Sequence, residues 1–418
     1  MTRGCLIPLF LLACGGDETT KSDASDTAAE IETDATVGDT TDDAADVGDT
    51  AGDAADGSED VAVDTVADTT DDSAIDTTLP DGFPTLCRAN RLDECDYLAA
   101  ETYSVTKTRY DDLEYTDVLG HARLVDVLVY QPDAEGPRPV VLASHGGNHG
   151  QTDPARSVPE LARHLAAAGY VVVAMTHTGR SPDDQAALCA ALEVPTNIVC
   201  NVTTNWDIPH DTTRVLDWLE APPAELDGRL DLALVAHVGQ AEGAGAVLME
   251  LGATRNFRCP PTVTNGAPSE ACPIEGLVSL REPRIDLGIV LSTPGPGQGG
   301  FLVQSYGNVR APLLMLSGSS DTAGGGPTAA LSLWPLLPAG GKFKLYLDHT
   351  GATSQAIAND LDQCSLAGTT CDDLRFSIES ATLAFLDGFV RDEVLARAWL
   401  ASNDVAILSH GLAVWDRK

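Results

Sequence analysis

Read for apolar and polar positions, the chain changes character near residue 83. From there, short continuous runs of Val, Leu, Ile and Ala alternate with segments whose apolar residues recur every three or four positions. The runs "RLVDVLVYQP", "RPVVLASHGG", "YVVVAMTHTG", "LDLALVAHVG", "IDLGIVLS", "APLLMLSGSSD" and "KFKLYLDH" predict strands, with "ETYSVTKTRY" as the first arm of a leading hairpin. Between them, "ARSVPELARHLAAAG", "DTTRVLDWLE", "AEGAGAVLMELG", "TAALSLWPLL" and "DDLRFSIESATLAFLDGFV" predict helices; the second places Val215, Leu216 and Leu219 on one face. Unbroken apolar strands alternating with amphipathic helices predict an α/β fold, a mostly parallel central sheet covered by helices on both faces.

Before residue 83 the pattern is absent. Residues 17–82 hold 22 Asp and Glu against one basic residue, Lys21, and "VGDT" recurs at Val37 and Val47. Such a segment cannot bury enough apolar surface to offset its chain entropy, and its like charges extend it. It reads as a disordered tether; no D-x-D-x-D-G spacing marks it as a calcium loop. The net charge of the whole chain is −38, which repels phosphate backbones and speaks against a nucleic-acid partner. Upstream, Arg3 precedes "CLIPLFLLA", an apolar run too short to span a bilayer, as in a signal peptide. It ends in "LLAC" followed by "GGD", which resembles a bacterial lipobox with Cys14 as the lipidated new N-terminus; an ordinary secretory signal is the alternative. The expected organisation is a signal peptide over 1–13, a linker over 14–82 and an α/β domain over 83–418. The expected address is the bacterial cell envelope, lipid-anchored and facing the periplasm or the exterior.

Eight further cysteines fall as near neighbours: Cys87 and Cys95, Cys189 and Cys200, Cys259 and Cys272, Cys364 and Cys371. An even count in an oxidising compartment suggests disulfides. Spacing leaves connectivity open, although short loops favour the sequential pairing because closure entropy grows with loop length. Without a C-x-x-C pair or a glycine-rich nucleotide loop after the first strand, neither metal nor cofactor is expected.

In parallel sheets, sites form where strands end at their carboxyl edge. Four such ends carry useful groups. "SHGG" supplies glycines whose backbone N–H groups can face an oxyanion. "GQAEG", Gly239 to Gly243, has the small residues of a strand–turn–helix elbow. Asp321 follows "LSGSS", and His349 follows "KFKLYLD". The order elbow, acid, base along the chain is that of a known architecture. Bland roles compete: Asp321 can cap its own turn, His237 sits inside the elbow strand as a packed residue, and Ser144 is buried in the preceding strand.

Residues from about 101 to 400 resemble an α/β-hydrolase, closest to the group of platelet-activating-factor acetylhydrolases, dienelactone-hydrolase-like proteins and bacterial polyester hydrolases. "SHGG" resembles the oxyanion loop, with Gly147 as a backbone donor; "THTGRSPDD" resembles the loop after the next strand. "VGQAEGAG" lines up with "VGHSxGG", "LSGSSDT" with the strand carrying the acid and "YLDHTG" with the strand carrying the base. The resemblance implies a carboxylic-ester hydrolase scaffold in which Asp321 and His349 are acid and base and Glu242 supplies the second oxyanion N–H. It departs at the centre. The nucleophile position is Ala241, and Gln240 stands where His is common. A methyl group cannot attack a carbonyl, so a pseudoenzyme binding a small ester, lipid or acyl ligand is expected. Two alternatives stand beside it: an active hydrolase using an unplaced nucleophile or water, and a surface binding protein whose pocket is irrelevant.

Overall fold

In the computed structural model, the described residues are 96–116, 122–146, 153–177, 207–257, 276–349 and 370–418, with Ala190, Ala352, Thr353 and Ile357 besides. The signal peptide, the tether, Cys14 and the four cysteine pairings lie outside them: every cysteine up to Cys364 and the side chain of Cys371 fall there.

Nine strands form one sheet: β1 Val105–Thr116, β2 Ala122–Pro132, β3 Arg138–Ser144, β4 Val171–Met175, β5 Leu230–Gln240, β8 Leu287–Leu291, β9 Leu313–Gly318, β10 Lys342–Leu347 and β11 Ala413–Arg417. A separate two-stranded ribbon pairs β6 Thr254–Phe257 with β7 Gly276–Ser279. The order across the sheet is β1-β2-β4-β3-β5-β8-β9-β10-β11. The six from β4 to β10 run parallel. An antiparallel hairpin, β1 and β2, flanks one edge and β11 closes the other. The continuous apolar runs are the parallel strands: every residue of "VVVAM" in β4 and "LGIVL" in β8 is buried.

Alternation along each strand sends side chains to opposite faces. On one face Val141, Ala143, Val172, Ala174, Ala236 and Val238 join a core with α1 Pro159–Ala167 and α5 Thr370–Phe389. On the other, Val140, Leu142, Val171, Val173 and Val235 pack with α2 Asp207–Glu220 and α3 Glu242–Glu250. Three helices complete the domain: α4 Gly326–Leu333, α6 Val394–Ala401 and α7 Asp404–Leu408. Helix α2 begins at Asp207, a turn before the expected start, because its first turn packs Ile208 and Pro209 inward. The expected helix over "ARSVPELARHLAAAG" is instead a short 3-10 turn, Pro154–Arg156, followed by α1; Pro159 can open a helix but not lie inside one.

The chain places β4 on one side of β3 and then crosses to put β5 on the other. At such a reversal the connections leave in opposite directions and open a crevice beyond the carboxyl ends of the two strands.

Candidate functional site

The ends of β3 and β5 meet at this crevice. Beyond β5, Ala241 adopts φ 48° and ψ −106°, left-handed backbone that an alanine adopts only under constraint, at a cost of about 1–3 kcal/mol. Two bonds hold it there: the Ala241 N–H donates to the Leu291 carbonyl of β8 at 2.9 Å, and the Gly245 N–H donates to the Ala241 carbonyl at 3.0 Å to open α3. The flanking glycines are steric requirements. A Cβ on Gly239 would lie 2.4 Å from the Gly243 backbone, and one on Gly243 would lie 2.7 Å from the His145 carbonyl. Gly146, at the end of β3, sits close enough that an added Cβ would be 3.0 Å from the Ala241 methyl. The tip of the turn therefore looks onto the loop after β3, where Gly147, the expected oxyanion donor, lies outside the described residues.

Glu242 opens α3, where the helix dipole favours a carboxylate. It carries that carboxylate to Arg255, 3.6 Å away. The Arg255 guanidinium is buried over the Phe301 ring, at 5.2 Å from its centroid, and donates from Nε to the Gly299 carbonyl. Burial pulls its pKa down and Glu242 opposes that. The pair fastens the start of α3 to the segment after β8.

Asp321 and His349 also sit at the carboxyl end, beyond β9 and β10. Asp321 is buried; its Oδ1 accepts the Ala323 N–H at 3.0 Å and its Oδ2 accepts the Ser317 hydroxyl at 3.3 Å. The two loops are joined. The Ser319 N–H donates to the Leu347 carbonyl, the Ser319 hydroxyl donates to the His349 carbonyl at 3.0 Å, and Ser320 bridges Thr353. Gly318 permits this approach, since a Cβ there would lie 2.3 Å from the Ala352 carbonyl. The structure thus brings together the ends of β3 and β5, and separately the acid and base loops. One strand, β8, lies between β5 and β9, a lateral offset of roughly 10 Å.

Beneath the elbow lies a polar seam of which sequence reading singled out only His237 and Ser144, as separate packed residues. Ser144 Oγ is 2.7 Å from His237 Nε2 and 2.8 Å from His177 Nε2. His237 Nδ1 is 2.5 Å from Glu250 Oε2, and His177 Nδ1 is 3.1 Å from Asp211 Oδ2. Arg123 donates to both oxygens of Asp211, at 3.0 and 2.7 Å, and to Asp207 at 3.2 Å; the Tyr115 hydroxyl adds a bond to Asp211 at 2.7 Å. All of these except Tyr115 are buried. Burial pushes the Asp211 carboxyl up, but Arg123 and His177 outweigh it and hold it well below the usual carboxylate range. One signal was available: Arg123 occupies the inward slot that Val125, Val127 and Val129 continue along β2, and a cation there demands a buried acid.

Among the described residues, no three His, Cys, Asp or Glu side chains converge as a metal site requires, and no helix is long and apolar enough to cross a membrane. No known protein family matches this chain, and no characterised protein does.

Proposed function

We propose that the domain is an α/β-hydrolase scaffold of the carboxylic-ester type, held at the cell envelope by a lipid on Cys14, that binds a small ester, lipid or acyl ligand without efficient turnover. The observation that carries this reading is the backbone of Ala241. A strained turn, wedged between two indispensable glycines at a crevice of the sheet, is the geometry that presents a nucleophile. Here it presents a methyl. The neighbouring order of elements supports the same scaffold: acid and base loops follow at the same edge, in the sequence elbow, Asp321, His349. In this reading Asp321 orients His349, and the N–H groups of Gly147 and Glu242 receive a carbonyl oxygen.

Loss of a triad nucleophile costs about 10⁶ in rate and leaves roughly 10³–10⁴ over water from the oxyanion hole and binding. The native protein should therefore hydrolyse p-nitrophenyl acetate barely above buffer and resist a fluorophosphonate probe. Ala241→Ser, alone and with Gln240→His, should gain hydrolysis by orders of magnitude and become labelled at residue 241. Stoichiometric labelling of the native chain would instead identify a nucleophile elsewhere and support an active hydrolase. Ser144 and Ser292 are nearby hydroxyls, and both are fully buried.

A further inference from the structure

Glu250, His237, Ser144, His177 and Asp211 form one unbroken chain with four contacts, each at hydrogen-bond distance. Each contact needs one hydrogen between its two heavy atoms. A serine hydroxyl brings one, each neutral imidazole brings one, and two carboxylates bring none. That supplies three hydrogens for four contacts.

Asp211 is not the source of the fourth. Its two oxygens already accept from Arg123 and Tyr115, and Arg123 keeps it ionised. His177 Nδ1 therefore donates to it. Two arrangements then fill the remaining contacts. In one, Ser144 donates to His177 Nε2, His237 Nε2 donates to Ser144, and a further proton lies between His237 Nδ1 and Glu250. In the other, His177 is an imidazolium that donates to Ser144, Ser144 donates to His237 Nε2, and His237 Nδ1 donates to Glu250. Two proton hops, from His237 Nε2 to the serine oxygen and from the serine hydroxyl to His177 Nε2, interconvert the forms in which an imidazole carries the charge. Both contain one proton more than the resting groups supply. Without it, two bare lone pairs face each other at under 3.2 Å in a dry site, a buried unmade hydrogen bond.

The charges around the chain favour the same count. From α2 come Asp207 and Asp211, from α3 Glu250, from β2 Arg123 and from β1 the Tyr115 hydroxyl. The three carboxylates are fully buried, and an added proton offsets part of their charge. His145, after β3, accepts the His177 backbone N–H on Nε2 at 3.2 Å and sets its Nδ1 against the Gly146 carbonyl at 3.1 Å, the pattern of an Nδ1–H tautomer. Past the end of α3, the Glu282 N–H donates to the Glu250 carbonyl, while the Glu282 carboxylate is held by Arg284 and Thr213.

We propose that this seam stores one additional proton in the folded protein, so that folding at pH 7–8 takes up about one proton per chain. The serine is not a second nucleophile: its oxygen is clamped between two imidazoles and fully buried, with no face open to a carbonyl. The inference does not depend on what occupies the crevice above.

Because the folded state binds the extra proton and the unfolded imidazoles, with ordinary values near 6.5, do not, stability falls as pH rises from 7 to 8. Glu250→Gln isolates the effect. The new side-chain amide N–H donates to His237 Nδ1, His237 Nε2 to Ser144, Ser144 to His177 and His177 to Asp211, so four neutral donors fill four contacts. Urea unfolding of the full-length protein and of this variant between pH 7 and 8 should show the native folding constant falling relative to the variant's by up to about tenfold. Parallel pH dependences would overturn the proposal. A measurement on the native protein stands if the variant fails to fold: ¹⁵N-histidine and ¹³C-glutamate spectra at pH 7.5 should show one of the two Nε2 atoms beside Ser144 protonated, together with either an imidazole protonated on both nitrogens or a protonated Glu250 carboxyl; singly protonated imidazoles beside an ionised Glu250 would overturn the proposal. Two bare Nε2 atoms would overturn it as well.

Discussion

The turn at Ala241 and the seam beneath it touch through Gly243, yet they are opposites. The turn has strained backbone, the end of β3 close by and only a methyl at its tip. The seam has a serine, two imidazoles and two carboxylates in mutual contact, and no access. A hydrogen-bonded Ser–His–acid set is therefore not a reactive site by its distances alone. Reaction also requires an open oxygen and a place for the developing charge. The hydroxyl of the seam is buried, and the turn carries none.

The largest break in that comparison should come from Arg123→Met. It leaves Asp211 buried without its guanidinium, at a cost of about 3–5 kcal/mol. Urea unfolding measures it; a loss under about 1 kcal/mol would mean that the seam is not held by charge pairing. The second sharpens the contrast in pH response. His164 is a half-buried imidazole outside the seam, 3.6 Å from Glu379, and desolvation lowers its pKa to about 4 against a smaller opposing pull from Asp387. It folds neutral, so it contributes stability above about pH 6.5 that is lost as pH falls toward 4, at no more than about 1.4 kcal/mol per pH unit. His164→Gln should flatten that acid limb and leave the slope between pH 7 and 8 unchanged, because the seam responds in the opposite direction. An unchanged acid limb would refute the assignment. The smallest effect belongs to the turn. Ala241→Gly relieves about 1–3 kcal/mol of strain and adds back about 0.5–1 kcal/mol of chain entropy, so the thermal midpoint should rise slightly. A clear fall would show that the methyl is packed rather than strained.

How far these regions could be read beforehand differs for a physical reason. Parallel strands buried on both faces leave continuous apolar runs, and the turn leaves small residues at Gly239 and Gly243, so both stand out in one dimension. Asp321 and His349 follow their strands directly. The seam has no such mark. Arg123 and Asp211 are 88 positions apart and Ser144 and His237 are 93 apart, so their pairing exists only after folding. Asp207 and Asp211 look like solvent-facing acids at the start of a helix, yet both are buried. Strand β11 and the β6–β7 ribbon are too short, at four or five residues, to show a period.

The knot between the two late loops holds the tips of β9 and β10 together whatever side chain stands at the turn opposite. Asp321 ties down its own bend, and the peptide oxygen of His349 receives the Ser319 hydroxyl. The Asp321 side chain thus braces its own bend, and the link between the two strand tips runs through the peptide oxygen of residue 349. A carboxyl edge laced in this manner keeps its shape independently of the group that the turn displays.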